Sequence, residues 1–521
     1  MSQTIREFLV PHGADLTGVL ATLHQRQPLE EGPWLTCEQR FFDSFDWRLF
    51  NASASFALCL DTEGSRLLWE DLAGEEPPLV QDWAGTPGLV ADLPEGPVRE
   101  RLAPILGVRR LLPVITIVSR EQTLYLTGDG GQPCARLLVI VSEFREPTRG
   151  RTGPMAARLR LATRPEHTAE ADALAADLHE GLELQRARMS IYTEALAAAG
   201  RRPGDYSSKL DFALTPDARA DASVKTILGD LLKTIEANVE GAKAHLDPEF
   251  LHDLRVATRR TRSGLGQIKG IFPPELVTHY KARFAWLQQA TGPARDLDVY
   301  RQGFGGYLAA LPPALRPHLA PLEAYLVAQH RGAQCQVTEV LGSAEFRELI
   351  DAWRTFLAAP VPTHDAPASA ERPVKAVADA NLWRLYRQVR DEGRAIGPDA
   401  PPPELHELRK SCKKLRYLME FFRRLYPTDE IAPLIKLTKV LLDNLGLFQD
   451  FAVQGQFLHE AALRMTADGS ADTDTLLAMG ALIASLLQRQ EAAREAFDET
   501  FARFDTAGHR AAFRRLFKPA S

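Results

Sequence analysis

Two patterns of apolar positions divide the chain. Over residues 1–165, short apolar and β-branched runs alternate with polar turns. Arg6–Val10, Leu35–Phe42, Ser55–Leu60, Arg66–Asp71, Leu111–Val118, Thr123–Thr127, Cys134–Phe144 and Ala157–Ala162 read as strands. Gly128-Asp129-Gly130-Gly131 reads as the turn of a hairpin. No helix opening with GK[ST] follows these glycines, so they are not a phosphate loop. Many antiparallel strands with polar turns predict a barrel or curved sheet. From Thr168 to Ala199 the pattern becomes helical and rich in Ala and Leu. Gly200–Tyr206 reads as linker. Beyond it, apolar residues recur at three and four nearly to the C-terminus, with a second break at the Pro/Ala-rich stretch Pro360–Pro373.

The helical part repeats itself. LHDLRVATRRTR (251–262) recurs as LHELRKSCKKLR (405–416) at an offset of 154. The same offset matches Pro273 with Pro427, Leu287 with Leu441, Gly292 with Gly446, Asp296 with Asp450, and Lys233 with Arg387. A gap-free repeat of this length predicts two copies of one helical unit packed as a pair about a pseudo-two-fold axis. On a helical wheel His252, Arg255, Arg259 and Arg262 fall within an arc of about 80°, with Leu254, Leu265, Ile268 and Phe272 on the core side. The second copy places His406, Arg409, Lys413 and Arg416 in the same way, above Leu408, Leu415, Met419 and Phe422. Asp247-Pro248-Glu249 predicts a capped start for the first of these helices, and Pro401–Pro403 with Glu404 a matching start for the second.

Charge changes the picture once it is divided. The 521 residues carry a net charge of −6, which gives no general affinity for polyanions. Residues 1–200, however, hold 19 Arg, no Lys and 28 acids, a net charge of −9, and the remainder is +3. In the helical part the positive charge is concentrated in the two stripes, whose arcs contain no acid of their own. Like charges so aligned repel unless an anion lies on them. Arginine forks suit phosphate oxygens, and lysine adds point charges. Nucleic acid would call for aromatic residues to stack bases, and the stripes repeat none. A linear, base-free polyanion fits best; an acidic protein segment is the weaker alternative.

The rest of the composition sets bounds. Hydrophobic residues make up 45% and charged residues 25%, which excludes a disordered chain. The five cysteines, Cys37, Cys59, Cys134, Cys335 and Cys412, form no CxxC pair, so neither a zinc site nor a disulfide framework is expected. The N-terminus lacks a signal-peptide pattern, and no run reaches the roughly 18 apolar residues of a membrane span. A cytoplasmic protein is expected, with no membrane and no nucleic-acid partner.

The H-x-L-R-x3-[RK]-[RK]-x-R stripe, its duplication, and the segments GPARDLD (292–298) and LGLFQD (445–450) resemble the CHAD family, the conserved-histidine α-helical domain. The resemblance covers about 219–515, with halves at 219–358 and 373–515. It implies two four-helix bundles related by pseudo-two-fold symmetry and a basic channel that binds inorganic polyphosphate without catalysis; some members localise to polyphosphate granules. The implied polyphosphate-binding residues are His252, Arg255, Arg259, Arg260, Arg262, His406, Arg409, Lys413, Lys414 and Arg416. Lys233, Arg387 and Lys439 are implied as wall residues.

Residues 1–200, joined through a linker at 201–218, resemble the CYTH or triphosphate-tunnel family, often fused upstream of CHAD. The resemblance rests on IREFLVP, on FFDSFDWRLFNA (41–52) and on RARMSIYTEAL (186–196). That family implies metal-dependent triphosphate hydrolysis through an E-x-E-x-K motif. Here Gln3, Ile5 and Glu7 stand at its three positions, so both metal carboxylates are missing and the lysine is an acid. The expected fold class is therefore α+β: a degenerate, catalytically inactive CYTH-type antiparallel barrel or sheet, followed by an all-α domain. No metal and no cofactor are expected. The alternative is a metal-dependent triphosphatase with a shifted site built from Glu7, Arg136, Arg158 and Arg160, to which the helical domain recruits polyphosphate.

Overall fold

Alternation of buried side chains along the strands builds the N-terminal sheet. The computed structural model describes residues 4–11, 14–127, 133–163, 168–397 and 399–519, and it divides into two units, Met1–Ser207 and Ser208–Ser521. The Gly128–Gly131 turn lies outside the described residues, as does Gln3. In the first unit the strands are β1 (Thr4–Leu9), β2 (Leu29–Asp43), β3 (Ala54–Asp61), β4 (Gly64–Asp71), β5 (Leu79–Asp82), β6 (Leu112–Thr127), β7 (Pro133–Arg145), β8 (Thr152–Pro154), β9 (Arg158–Thr163) and β10 (Gln185–Arg186). They pair antiparallel in the order β10-β1-β9-β7-β6-β2-β3-β4-β5, with β8 on β7. Among the described residues the order is open: β10 and β5 end the path.

The helices of this unit are α1 (Leu16–Arg26), α2 (Arg48–Asn51), α3 (Pro97–Leu106), α4 (Thr168–Ala176) and α5 (Ile191–Ala198). Phe41, Ala57 and Cys59 join Ile117 and Phe144 in a core with Tyr192, Ala195 and Leu196 of α5. Their strand neighbours Phe42, Phe56 and Leu58 join Val98, Leu102 and Leu106 of α3 in another. Both faces of β3 are thus buried, and for that reason its sequence reads as one apolar run.

Two expectations change here. Leu111–Val118 and Thr123–Thr127 belong to one strand, β6. The polar residues between them looked like a break, but they are satisfied in place: Ser119 Oγ lies 2.8 Å from Ser142 Oγ, and Gln122 Nε2 donates to Glu31 Oε2 (3.0 Å) and Gly32 O (3.1 Å). The helical stretch 168–199 is interrupted, because Gln185 and Arg186 pair with Leu9 and Phe8 at the sheet edge and Glu183 takes a left-handed φ of 54°.

In the second unit the repeat governs the helix order. The first copy contains α6 (Ala220–Lys243), α7 (Pro248–Gln267), α8 (Pro274–Ala290), α9 (Gly292–Gln302), α10 (Phe304–Ala310), α11 (Ala320–Gly342) and α12 (Ala344–Ala358). The second contains α13 (Val374–Ala395), α14 (Pro402–Phe421), α15 (Thr428–Ala467), α16 (Thr473–Phe504) and α17 (Ala507–Phe517). Helices α6, α7 and α8 each begin 154 residues before α13, α14 and α15. One continuous helix of 40 residues, α15, stands where the first copy breaks into α8, α9 and α10. The two copies share a core: Tyr300, Leu322 and Leu326 pack with Leu458, Met465 and Leu482.

Backbone hydrogen bonds at the starts of α6 and α13 exchange under the same offset. Ala220 N donates to Arg372 O (2.9 Å) and Val374 N to Ala218 O (2.8 Å). Asp221 N donates to Ala370 O and Lys375 N to Pro216 O, both at 3.1 Å. Equivalent residues meeting antiparallel, as Arg219 and Pro373 do, is the local pattern of a two-fold exchange.

The helix starts differ from expectation in one respect. Asp247 caps α7, accepting from Glu249 N at 2.9 Å. Pro401, at the N-cap of α14, makes no side-chain cap, since proline carries no acceptor there. Ile268, Phe272 and Phe422 lie just past their helix ends yet are buried.

Candidate functional site: two basic stripes

Helices α7 and α14 bring the two stripes together. Arg260 Nη2 on α7 lies 3.1 Å from Glu420 Oε2 on α14, and Arg416 Nε lies 3.3 Å from the other oxygen of that carboxylate. Arg259 of the first copy and Arg409, Lys413 and Arg416 of the second line one cleft of about 430 Å³, with Gly446 and Asp450 of α15 on its wall. All ten residues named on the stripes, His252 to Arg262 and His406 to Arg416, are half-buried. Lys233, Arg387 and Lys439 are exposed. Lys233 belongs to another cleft, beside Arg354, and pairs with Asp230 at 2.7 Å.

The glycine that follows each stripe lies against its arginine, and in the second copy the aspartate pairs with it. In G-x3-D the two residues fall on one helix face. A Cβ added at Gly292 would lie 3.8 Å from Arg255 Nη1, and one at Gly446 would lie 3.8 Å from Arg409 Nη2. Arg409 Nη2 donates to Asp450 Oδ1 at 3.1 Å. Arg255, under the attraction of Asp296, instead donates to Gln288 O (2.6 Å) and Thr291 Oγ1 (2.9 Å). His406 Nδ1 lies 3.0 Å from Gln449 Oε1. The expectation of an acid-free arc is corrected by Glu420, one turn beyond Arg416 on α14, and the neighbouring helices supply Asp450 and Asp296. Their recurrence at the 154-residue offset was the signal in the sequence.

Positive charge remains in excess in the cleft. Of its lining cations, Arg409 pairs with Asp450 and Arg416 with Glu420, whereas Arg259 and Lys413 have no carboxylate ion-pair partner, and the buried Nε of Arg259 no hydrogen-bond partner, among the described residues. Burial pushes the Lys413 ammonium down to about 8, reinforced by Arg409, Arg259 and Arg416 and opposed by Asp450. Burial likewise pushes Arg255 down to about 10; Asp296 opposes this, and Arg259 and Arg295 add to it. A cleft of this kind can take a multiply charged, oxygen-rich anion, which would satisfy the donors and relieve the repulsion at once.

The sheet unit treats its charges differently. Burial would raise the Glu7 carboxyl, but Arg160 and Arg158 outweigh it and hold the group below the usual carboxylate range. Arg160 Nε lies 2.5 Å from one Glu7 oxygen and Arg158 Nη1 2.6 Å from the other. Arg158, only 1% exposed, also binds Glu194 and donates to Met189 O at 3.1 Å. Arg136 stands on β7 opposite Ala162, and Ile5 is 60% exposed. A cleft of about 380 Å³ is lined by Cys37, Cys59, Asp61, Arg66, Glu121 and Arg160, among others. Both of its arginines are ion-paired, Arg66 with Asp61 and Glu63, Arg160 with Glu7.

Among the described residues one cluster has the spacing of metal ligands: His245, Asp298 and His330, with ligand atoms within 4.8 Å of one another. His330 Nε2 lies 2.8 Å from Asp298 Oδ1, and Arg301 Nη1 lies 3.2 Å from His330 Nδ1. A guanidinium only donates, so Nδ1 accepts and Nε2 carries the proton given to Asp298. The cluster is a hydrogen-bonded chain with no lone pair turned inward from His330. No helix among the described residues is long and apolar enough to cross a membrane.

Comparisons with known proteins place the helical unit. Residues 226–459 match the CHAD domain family. No curated protein matches the chain. Among solved structures, the CHAD domain from the plant Ricinus communis is 25% identical, covering 56% of this chain and 94% of its own, with a TM-score of 0.47. PptA from Streptomyces chartreusis is 18% identical, covering 55% and 99%, with a TM-score of 0.39. A putative adenylate cyclase from Bacillus halodurans is 13% identical, covering 36% and 96%, with a TM-score of 0.27. The chain joins an N-terminal antiparallel sheet to a helical unit whose residues 226–459 match the CHAD domain family.

Proposed function

We propose that the helical unit binds inorganic polyphosphate, without catalysis, along the cleft between its two stripes. One observation carries the reading: Arg259 from one copy and Arg409, Lys413 and Arg416 from the other meet in a single cleft, where of the lining acids Asp443 and Asp450 only Asp450 pairs with a stripe cation, Arg409, among the described residues. The CHAD family's association with polyphosphate supports it. The exchanged hydrogen bonds of α6 and α13 support a pseudo-two-fold relation of the copies, which would carry a linear polyanion from one stripe to the next. The direct test titrates the full chain with long-chain polyphosphate in about 150 mM salt, where counterion release weakens but does not abolish a multi-contact site. Binding that poly-glutamate of equal charge reproduces would favour an acidic protein segment as the ligand instead.

The sheet unit is read as non-catalytic. Triphosphate hydrolysis needs carboxylates free for a divalent ion and cations free for phosphate. Glu7 is committed to two arginines, and Arg160 is committed to Glu7. Phosphate release from triphosphate with Mg²⁺ or Mn²⁺, abolished by Glu7→Gln, would overturn this part. Residence on polyphosphate granules follows from the binding reading, and microscopy of a fluorescent fusion in cells that store polyphosphate tests it.

A further inference from the structure

The repeat provides a built-in comparison for a second cleft, away from the stripes. In each copy the last helix lies against the first and leaves a hollow between them. In the first copy this hollow, between α6 and α12, is lined by Gly229, Leu232 and Glu236, and Glu236 is neutralised by Arg354 at 2.7 Å. At the 154-residue offset these three positions become Trp383, Tyr386 and Arg390 on α13. They line a cleft of about 450 Å³ whose other wall is Arg510, Arg514 and Lys518 of the α17 segment, with Ala507 and Ala511 beside them. A hollow with no aromatic lining, whose cations Lys225, Lys233 and Arg354 are each held by a protein acceptor, has thus become an aromatic one with unpaired cations.

Three features of this cleft point to a ligand. Arg390 pairs with Asp391 (2.7 Å), and Asp505 serves both Arg394 (2.7 Å) and Arg510 (3.3 Å), whereas Arg514 and Lys518 have no carboxylate partner among the described residues. Tyr386 is 1% exposed, with one ring face stacked on Phe513 at 4.0 Å, yet its buried hydroxyl has no hydrogen-bond partner among the described residues. Trp383, 5.6 Å from Tyr386, is only half-buried and offers ring surface to the cleft. An aromatic surface beside unneutralised cations suits a flat ring joined to phosphate, since every nucleobase has a face that stacks and every phosphate takes guanidinium and ammonium donors. The stripes have the cations without the aromatic surface.

We propose that the α13–α17 cleft is a nucleotide-binding site. The base stacks on Trp383, the phosphates lie on Arg510, Arg514 and Lys518, and the Tyr386 hydroxyl gains its missing partner from the ligand. The site does not rest on the polyphosphate reading. The test is calorimetric titration of the full chain with ATP, inorganic triphosphate and adenosine. ATP is expected to bind at one site, at least tenfold more tightly than either fragment. Trp383→Ala is expected to weaken ATP roughly tenfold, and Arg514→Glu with Lys518→Glu, both at exposed positions, by more. Joint replacement of Arg255, Arg259, Arg409 and Lys413 by Ala is expected to leave ATP binding unchanged. No heat with millimolar ATP would overturn the proposal. So would equal binding of ATP and triphosphate that the stripe variant abolishes and Trp383→Ala leaves intact, because ATP would then be using the stripe cleft.

Discussion

The two units use arginine in opposite ways. In the sheet, Arg158 and Arg109 are each 1% exposed, and each is matched to carboxylates, Arg158 to Glu7 and Glu194, Arg109 to Asp46. A guanidinium taken fully out of water is stable only when so matched. In the helical unit the stripe cations are half-buried, and Arg259, Arg262 and Lys413 have no carboxylate ion-pair partner among the described residues. Partial hydration makes the excess charge tolerable, and Lys413 is lowered first by burial and then by repulsion from Arg409 and Arg259. The capacity to take a polyanion therefore depends on whether arginines are already neutralised and little on how many there are. With 19 arginines, the sheet has none to spare in its cleft.

The largest expected effect lies in the helical unit. Replacing Arg255, Arg259, Arg409 and Lys413 together by Ala should weaken polyphosphate binding at least a thousandfold, at ~1.5–3 kcal/mol for each charged hydrogen bond. Circular dichroism should show the helices intact. If the variant still binds as wild type does, the stripes are ordinary solvated faces. Next, Arg158→Ala should destabilise the sheet unit by about 2–3 kcal/mol, because half-buried Glu194 loses its arginine and Glu7 keeps only Arg160. Polyphosphate affinity should stay the same, and a parallel fall would mean that the contrast between the units is misdrawn. Because the folded Glu7 is held below its unfolded value, its stabilisation is present above that value and is lost as pH falls through the folded one. The thermal transition of the sheet unit should accordingly move down in acid, less so in Glu7→Gln.

Much of this was legible in the sequence, for physical reasons that differ between the units. The stripes could be read because a helix face is fixed by spacing, so Arg255, Arg259 and Arg262 align whatever packs behind them. Their meeting with the second copy could not be, because it depends on how α7 and α14 pack and on Glu420, which has no repeat partner: Gly266 stands at its equivalent position. In the sheet, the loss of E-x-E-x-K was visible, but the fate of Glu7 was not. Strand register sets it opposite Arg160, and only pairing reveals register. Helices α1 and α3 went unnoticed between strands, and the α13–α17 cleft draws its two walls from segments more than 100 residues apart.

Smaller effects refine the comparison. Lys413 sits near 8 in the free protein, so it loses its charge as pH rises beyond that value, and a bound polyanion must restore the proton. Affinity should fall about tenfold between pH 7 and 9 at constant salt, and Lys413→Arg should flatten the profile. A wild-type profile as flat as the variant's would remove Lys413 from the site. The smallest change expected is from Asp450→Asn, which frees Arg409 from its one carboxylate and should tighten binding a few-fold; weaker binding would assign Asp450 a positioning role.

The central claim is that the two stripes form one polyanion site while the sheet's charges are spent internally. A crystal structure of the full chain grown with short-chain polyphosphate tests it most directly. The account predicts phosphate within hydrogen-bond distance of Arg259, Arg409, Lys413 and Arg416, with the sheet cleft empty of it. Phosphate bound at Glu7 and Arg160 in the sheet, with none between the stripes, would contradict it.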